Sequence, residues 1–140
     1  MKKVSYQLIE HTADIGIRVR SFSLAGLFKK AGLAIVSLSS QRGKFQYPEK
    51  HKILIRQKAD NVEELFINWL NELLSLSAVE ALTFEEIQIN HVNENSVDAV
   101  VIGSDIRNYK INTEIKAATY HQLKVKKSGC IWQAEVIFDV

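Results

Sequence analysis

Three short segments of this 140-residue chain hold the side chains that could do chemistry. Ile137-Phe138-Asp139-Val140 sets a carboxylate one residue before the α-carboxylate, at the end of an apolar run. Glu10-His11-Thr12-Ala13-Asp14-Ile15-Gly16-Ile17 puts His, Thr and Asp at the start of another alternating apolar run, and Lys116-Ala117-Ala118-Thr119-Tyr120-His121 is the third cluster. Carboxylates are hard oxygen ligands, so Asp14, Asp139 and the terminal carboxylate of Val140 could bind a divalent cation such as calcium or magnesium. The alternative is that Asp14 caps a turn and Asp139 solubilises a chain end.

Other catalytic devices are missing from the sequence. It has no Gly-x-Gly-x-x-Gly, no Walker loop and no Gly-x-Ser-x-Gly elbow, so phosphate cradling or acyl transfer by those means is unsupported. His11, His51, His91 and His121 are far apart, and a Ser-His-Asp set assembled from scattered serines is not evidence of a triad.

The elements that must position the three clusters are legible from periodicity. From Leu24, apolar Leu27, Phe28, Ala31, Ala34, Ile35 and Leu38 recur at helical spacing, with Ser21 or Ser23 available as cap. Phe22, Leu33 and Val36 fall outside that stripe, so the helix is apolar on more than one face. A second, equally apolar helix starts near Asp60 or Asn61, where Asp60 and Glu63 resemble a capping box, and runs through Leu65, Phe66, Trp69, Leu70, Leu73 and Leu74. Alternation over Val4-Tyr6-Leu8, Ile15-Ile17-Val19, Ile53-Ile55, Ile87-Ile89, Val97-Ala99-Val101, Ile111-Thr113-Ile115-Ala117 and Trp132-Ala134-Val136-Phe138 predicts at least seven strands. Helices apolar on several sides need sheet on two faces. The expected fold is therefore α+β, a single domain over residues 1–140 with two helices packed between antiparallel or mixed β-sheets. Turns are expected at Gln41-Arg42-Gly43, Tyr47-Pro48-Glu49 and Ser128-Gly129.

Composition narrows the class. A hydrophobic share of 46% lets one domain of this length bury roughly two-thirds of its unfolded surface without disulfides. Cys130 is the only cysteine and reads as a small strand residue, consistent with a reducing cytoplasm. Polar residues interrupt the N-terminus, and no stretch reaches the roughly 18 apolar residues of a membrane helix, so a soluble cytoplasmic protein is expected, with no membrane partner. A net charge of +2 is too small to imply nucleic-acid binding, so direct contact with nucleic acid is not expected. The densest basic cluster, Lys124, Lys126 and Lys127, reads as a solvated strand edge protected from pairing, with phosphate binding as the alternative.

The blocks His11-Thr12-Ala13-Asp14-Ile15-Gly16, Leu65-Phe66-Ile67-Asn68-Trp69-Leu70-Asn71-Glu72-Leu73-Leu74, Glu114-Ile115-Lys116-Ala117-Ala118-Thr119-Tyr120-His121 and Val136-Ile137-Phe138-Asp139-Val140 resemble the archease family, in the family's order and across nearly the whole chain. The resemblance implies a small cytoplasmic protein that serves as cofactor to an RtcB-type RNA ligase. That enzyme joins RNA ends in tRNA splicing or RNA repair, using GTP and manganese to form a guanylylated histidine; the archease promotes guanylylation and turnover and catalyses nothing itself. By the same resemblance the metal site maps to Asp14, Asp139 and Val140, with calcium the common occupant and magnesium or manganese as alternatives.

Resemblance also implicates Lys116, which either contacts a phosphate or partner or turns inward to pair with one of these carboxylates, while His11, Thr119, Tyr120 and His121 shape the site. Three positions depart from the family pattern. Ser37-Leu38-Ser39-Ser40-Gln41 and Ser75-Leu76-Ser77-Ala78-Val79 lack the acidic residues usual after the two helices, and Tyr109 stands where many members carry histidine. Two other classes compete with the cofactor: a general chaperone or protein-binding module, and a small metal-dependent hydrolase using Asp14 and Asp139 to activate water.

Overall fold

The computed structural model describes residues 5–9, 14–44 and 46–140. Val4, Glu10, His11, Thr12 and Ala13 lie outside the described residues, so the first strand is seen from Tyr6 and the first polar cluster only at Asp14.

The chain runs β1 (Gln7–Ile9), β2 (Ile15–Ser21), α1 (Leu24–Ser39), β3 (Ser40–Arg42), β4 (Lys50–Lys58), α2 (Val62–Glu80), β5 (Leu82–Val92), β6 (Ser96–Asp105), a 3₁₀ turn (Ile106–Asn108), β7 (Tyr109–Ile111), β8 (Ala117–Ser128) and β9 (Ile131–Asp139). Every strand pairing is antiparallel. The strands form a four-stranded sheet in order β1-β2-β9-β8, a three-stranded sheet in order β4-β6-β5 and a β3-β7 pair. Both helices touch both larger sheets: α1 meets β2, β9 and β5, and α2 meets β8, β4, β5 and β6. The expected β/α/β layering therefore holds, with no parallel pair among the described residues.

One continuous core explains why both helices are apolar nearly all round. Leu27, Phe28, Leu65, Phe66, Trp69 and Leu70 are fully buried between Ile17, Val136 and Phe138 of one sheet and Ile55, Val97 and Val101 of the other. The helices are locked to each other by the Trp69 indole, which donates to the Phe28 carbonyl at 2.9 Å, and by an edge-on Phe28–Phe66 contact at 5.4 Å. Gly32 permits that approach, since a Cβ there would lie 2.7 Å from Ile87 Cδ1 and 2.9 Å from Leu73 Cδ1.

The helix starts follow from capping. Ser23 accepts from the Gly26 amide at 3.0 Å, and Asn61, rather than the Asp60–Glu63 box, accepts from the Glu64 amide at 2.8 Å. An amide side chain at that position satisfies one of the orphan N–H groups of the first turn.

Three local expectations are corrected. The alternation Ile111-Thr113-Ile115-Ala117 is not one strand: β7 ends at Ile111 and β8 begins at Ala117. The last carbonyls of α1 lack intrahelical partners, and one of them, Ser39, captures the Asn112 and Thr113 amides at 2.7 and 3.1 Å, pulling the segment out of the ladder. Gln41 and Arg42, expected in a turn, form β3 against Lys110 and Tyr109, because β7 supplies an edge that local sequence does not reveal. Cys130 is not in a strand but exposed in the turn after β8, beside Gly129 at φ +61°.

Candidate functional site

The four-stranded sheet brings the polar ends of distant segments together through register alone. In the β2–β9 ladder the last pair is Ile15 with Phe138, so Asp14 and Asp139 each follow the end of that ladder by one residue. On the other side of β9, Ala117 pairs with Asp139, and the Lys116 amide donates to the Asp139 carbonyl at 2.8 Å. Asp14, Lys116, Asp139 and Val140 thus occupy one end of the sheet. Because Phe138 faces the core, strand alternation turns Asp139 away from it.

The chemistry of this edge is that of hard oxygen donors beside one ammonium. Asp139, Val140 and Lys116 are exposed and Asp14 is half-buried. Lys116 is therefore not the inward-facing lysine that was one of its two expected roles. Among the described residues no group of three His, Cys, Asp or Glu side chains is gathered that could hold a metal. Two aspartates and the terminal carboxylate fit a hard cation of the calcium or magnesium kind, and the α-carboxylate is then needed to complete a three-anion set.

The supporting residues come from β8 and α2. The Thr119 hydroxyl donates to the Ile137 carbonyl at 2.9 Å, tying β8 to β9 two residues before Asp139. Beyond Thr119 the ladder is interrupted until Lys124, with Gln122 in the left-handed region at φ 53°. Tyr120 (58% exposed) and His121 lie in this irregular stretch of the outermost strand. His11 is outside the described residues.

Asn71 is a positioning residue that sequence reasoning missed. Its side chain accepts from the Ala118 amide at 2.8 Å and donates to the Ala118 carbonyl at 3.2 Å. The pair of bonds imitates a neighbouring strand and covers the sheet edge where β8 starts. The available signal was an amide side chain, one of three polar residues (Asn68, Asn71 and Glu72), inside the otherwise apolar Leu65–Leu74 run.

A second charged cluster lies elsewhere. A β-bulge between Phe84 and Glu86 re-aims Glu85, whose side chain is only 8% exposed. Arg42 reaches it at 2.6 Å, and Lys50 and the Tyr109 hydroxyl also bond to it. Burial pulls the Glu85 carboxyl upward, but hydrogen bonds from Lys50 and Tyr109 and the Lys50 charge win and hold it at about 2. Burial, then the neighbouring Glu85 carboxylate, pushes the Tyr109 hydroxyl up to about 12. Tyr109 is thus engaged in a structural network.

Fold and edge together define a small antiparallel β/α/β protein that presents carboxylates where a sheet ends. The sequence profile of the Archease protein family matches residues 6–140, and the chain belongs to that family. Protein archease of Methanosarcina barkeri is 30% identical, covering 96% of this chain and 95% of its own, and protein archease of Pyrococcus abyssi is 30% identical over 94% and 95%. The solution structure of protein 1598 from Methanobacterium thermoautotrophicum shares the fold, with TM-score 0.71 at 21% identity over 96% of this chain and 98% of that one. The crystal structure of a Thermotoga maritima archease, described as a possible chaperone, gives TM-score 0.67 at 26% identity over 100% and 98%. No helix among the described residues is long and apolar enough to cross a membrane.

Proposed function

We propose that this chain is a cytoplasmic protein cofactor that activates an RtcB-type RNA ligase, promoting its guanylylation and turnover in tRNA splicing or RNA repair, with no catalysis of its own. The observation that carries the proposal is the convergence of Asp14, Lys116, Asp139 and Val140 at one sheet end in a member of the archease family. Asp14, Asp139 and the Val140 carboxylate would hold a divalent ion, calcium foremost. When bound, that ion supplies positive charge of the kind that stabilises nucleotidyl transfer. The chain's own part is to orient: β2 and β9 set the two aspartates on neighbouring strands, Thr119 pins β8 to Ile137 of β9, and Asn71 holds the start of β8. Lys116, exposed beside the carboxylates, is placed to meet a phosphate or the partner.

A reconstituted ligation assay with the host's own ligase tests the reading. Asp14→Ala and Asp139→Ala are expected to lose most activation while unfolding close to the parental denaturant concentration, since carboxylates at strand ends, half-buried for Asp14 and exposed for Asp139, contribute little to core packing. Full activation by both variants overturns the site. Phosphoester turnover by the chain alone would favour the hydrolase class, and protection of unrelated unfolded proteins without any effect on the ligase would favour the chaperone class.

A further inference from the structure

At the end of the four-stranded sheet away from the carboxylates lies a cleft of about 280 Å³, lined by Tyr6, Arg18, Arg20, Phe22, Lys30 and Ile131 among others, none of them acidic. Six residues of β2 separate Asp14 from Arg20, about 20 Å at strand rise. The cleft is a cationic site built from two elements. Arg20 Nε donates to the Gln133 side chain at 2.5 Å and Lys30 Nζ to the Arg20 carbonyl at 2.8 Å, so neutral acceptors hold both cations and no carboxylate among the described residues pairs with either. Arg18 alone shares a carboxylate, bonding Glu135 at 2.5 Å, with Lys124 on the other side of Glu135 at 3.6 Å.

Register extends the charge beyond the cleft. Arg20 pairs with Gln133 and Gln133 with Lys126, while Arg18 pairs with Glu135 and Glu135 with Lys124, so two rows with basic ends cross one face from β2 to β8, the first bridged by neutral Gln133 and the second by the Glu135 carboxylate. Successive basic side chains on each strand are about 6.7 Å apart, close to the phosphate spacing of an extended nucleic-acid strand. At the cleft, Phe22 is 81% exposed, and Tyr6 provides a second ring. An uncovered phenyl beside guanidinium and ammonium groups is the combination that stacks bases while cations track phosphates.

We infer that this cleft and the adjoining basic rows bind single-stranded RNA. The choice of RNA over other single strands rests on the proposed ligase reading, whereas the binding itself is a property of this chain alone. An acidic protein surface would use the same cations but would gain nothing from a stacking ring.

Fluorescence anisotropy with a short labelled oligouridylate, using the full chain without ligase, measures the binding. Saturable binding is expected at about 50 mM salt, weakening sharply towards about 200 mM. Phe22→Ala should weaken it about tenfold, and its exposed position leaves the fold intact, as circular dichroism will verify. The Arg20→Ala/Lys30→Ala double variant should lower the salt slope by about 1.4, the loss of two single-strand phosphate contacts. Asp139→Ala should keep full RNA affinity while losing ligase activation, which separates failure of this inference from failure of the ligase reading. No binding at low salt, or unchanged affinity in Phe22→Ala, overturns the proposal. Equal affinity of a polyglutamate peptide for the same cations would replace RNA with an acidic protein partner.

Discussion

Two groups of carboxylates in this molecule are both positioned by strand geometry, yet they end in opposite states. Glu85 is folded into the protein: a bulge turns it towards Arg42, Lys50 and Tyr109, and its oxygens are bonded by all three. Asp139 is carried one residue past a core-facing phenylalanine and remains exposed. The same residue class is structural where cations converge on it and available for a ligand where the ladder runs out. Tyr109 belongs to the first region, and the edge carboxylates to the second.

Exchanging the two roles gives the largest expected contrast. Glu85→Ala leaves Arg42, Lys50 and the Tyr109 hydroxyl without their shared acceptor and should cost about 2–3 kcal/mol in urea unfolding. Asp139→Ala should cost no more than about 0.5 kcal/mol while losing activation. Equal stability losses would break the comparison.

The pH dependence of folding sharpens it. Glu85 has its carboxyl depressed from 4.5 to about 2 in the folded chain, so its stabilisation is complete above the ordinary value and is lost as pH falls towards about 2. Tyr109 is raised from 10.0 to about 12, so its contribution is complete below the ordinary value and is lost as pH rises through about 12. Denaturant midpoints followed across pH should show both limbs, with Glu85→Gln shrinking the acid limb, to which Asp105 beside Arg107 and Glu135 beside Arg18 also contribute, and Tyr109→Phe shrinking the alkaline one.

Asn71→Ala should lie between the two regions in its consequences. Losing both bonds to Ala118 leaves a partly buried amide unsatisfied, at about 1–2 kcal/mol, and should also weaken calcium binding at the neighbouring edge. Faster amide exchange at Ala118 together with weaker calcium binding marks a positioning role; a stability loss with parental calcium affinity would restrict Asn71 to packing.

Smaller effects should come from the chain end and from Lys116. A few residues added after Val140 convert a carboxylate to a neutral amide and should lower metal affinity, whereas the same tag before Met1 should not. Equal calorimetric titrations for the two tagged forms would leave Asp14 and Asp139 as the only acidic donors. Lys116→Ala should reduce activation more than metal affinity, because removing a cation does not weaken the attraction of nearby carboxylates for a divalent ion.

Much of the fold was legible because its signals are local. Ser23 and Asn61 announce the helix starts, and the broad apolar surfaces around Phe28 and Trp69 demand cover on both sides, which two sheets provide. Asp14, Lys116 and Asp139 also stood out as polar residues at the limits of apolar runs. Failures arose where a distant group competed for a backbone. The alternation through Thr113 and Ile115 had the right period, but the free Ser39 carbonyl of α1 captured its amides. Arg42 became a strand residue only because β7 lay alongside.

The sequence by itself determined the helices, the apolar faces and the family blocks, since each depends on residues within a few positions of one another. Tertiary structure alone decided which charges meet. Nothing local in Glu85 foretells Arg42, Lys50 and Tyr109, and the modest net charge conceals the gathering of Arg18, Arg20 and Lys30 at one cleft. Periodicity records which face of an element turns inward, but a hydrogen-bonded register chooses its neighbour, and here β9 between β2 and β8 makes Asp14, Lys116 and Asp139 adjacent.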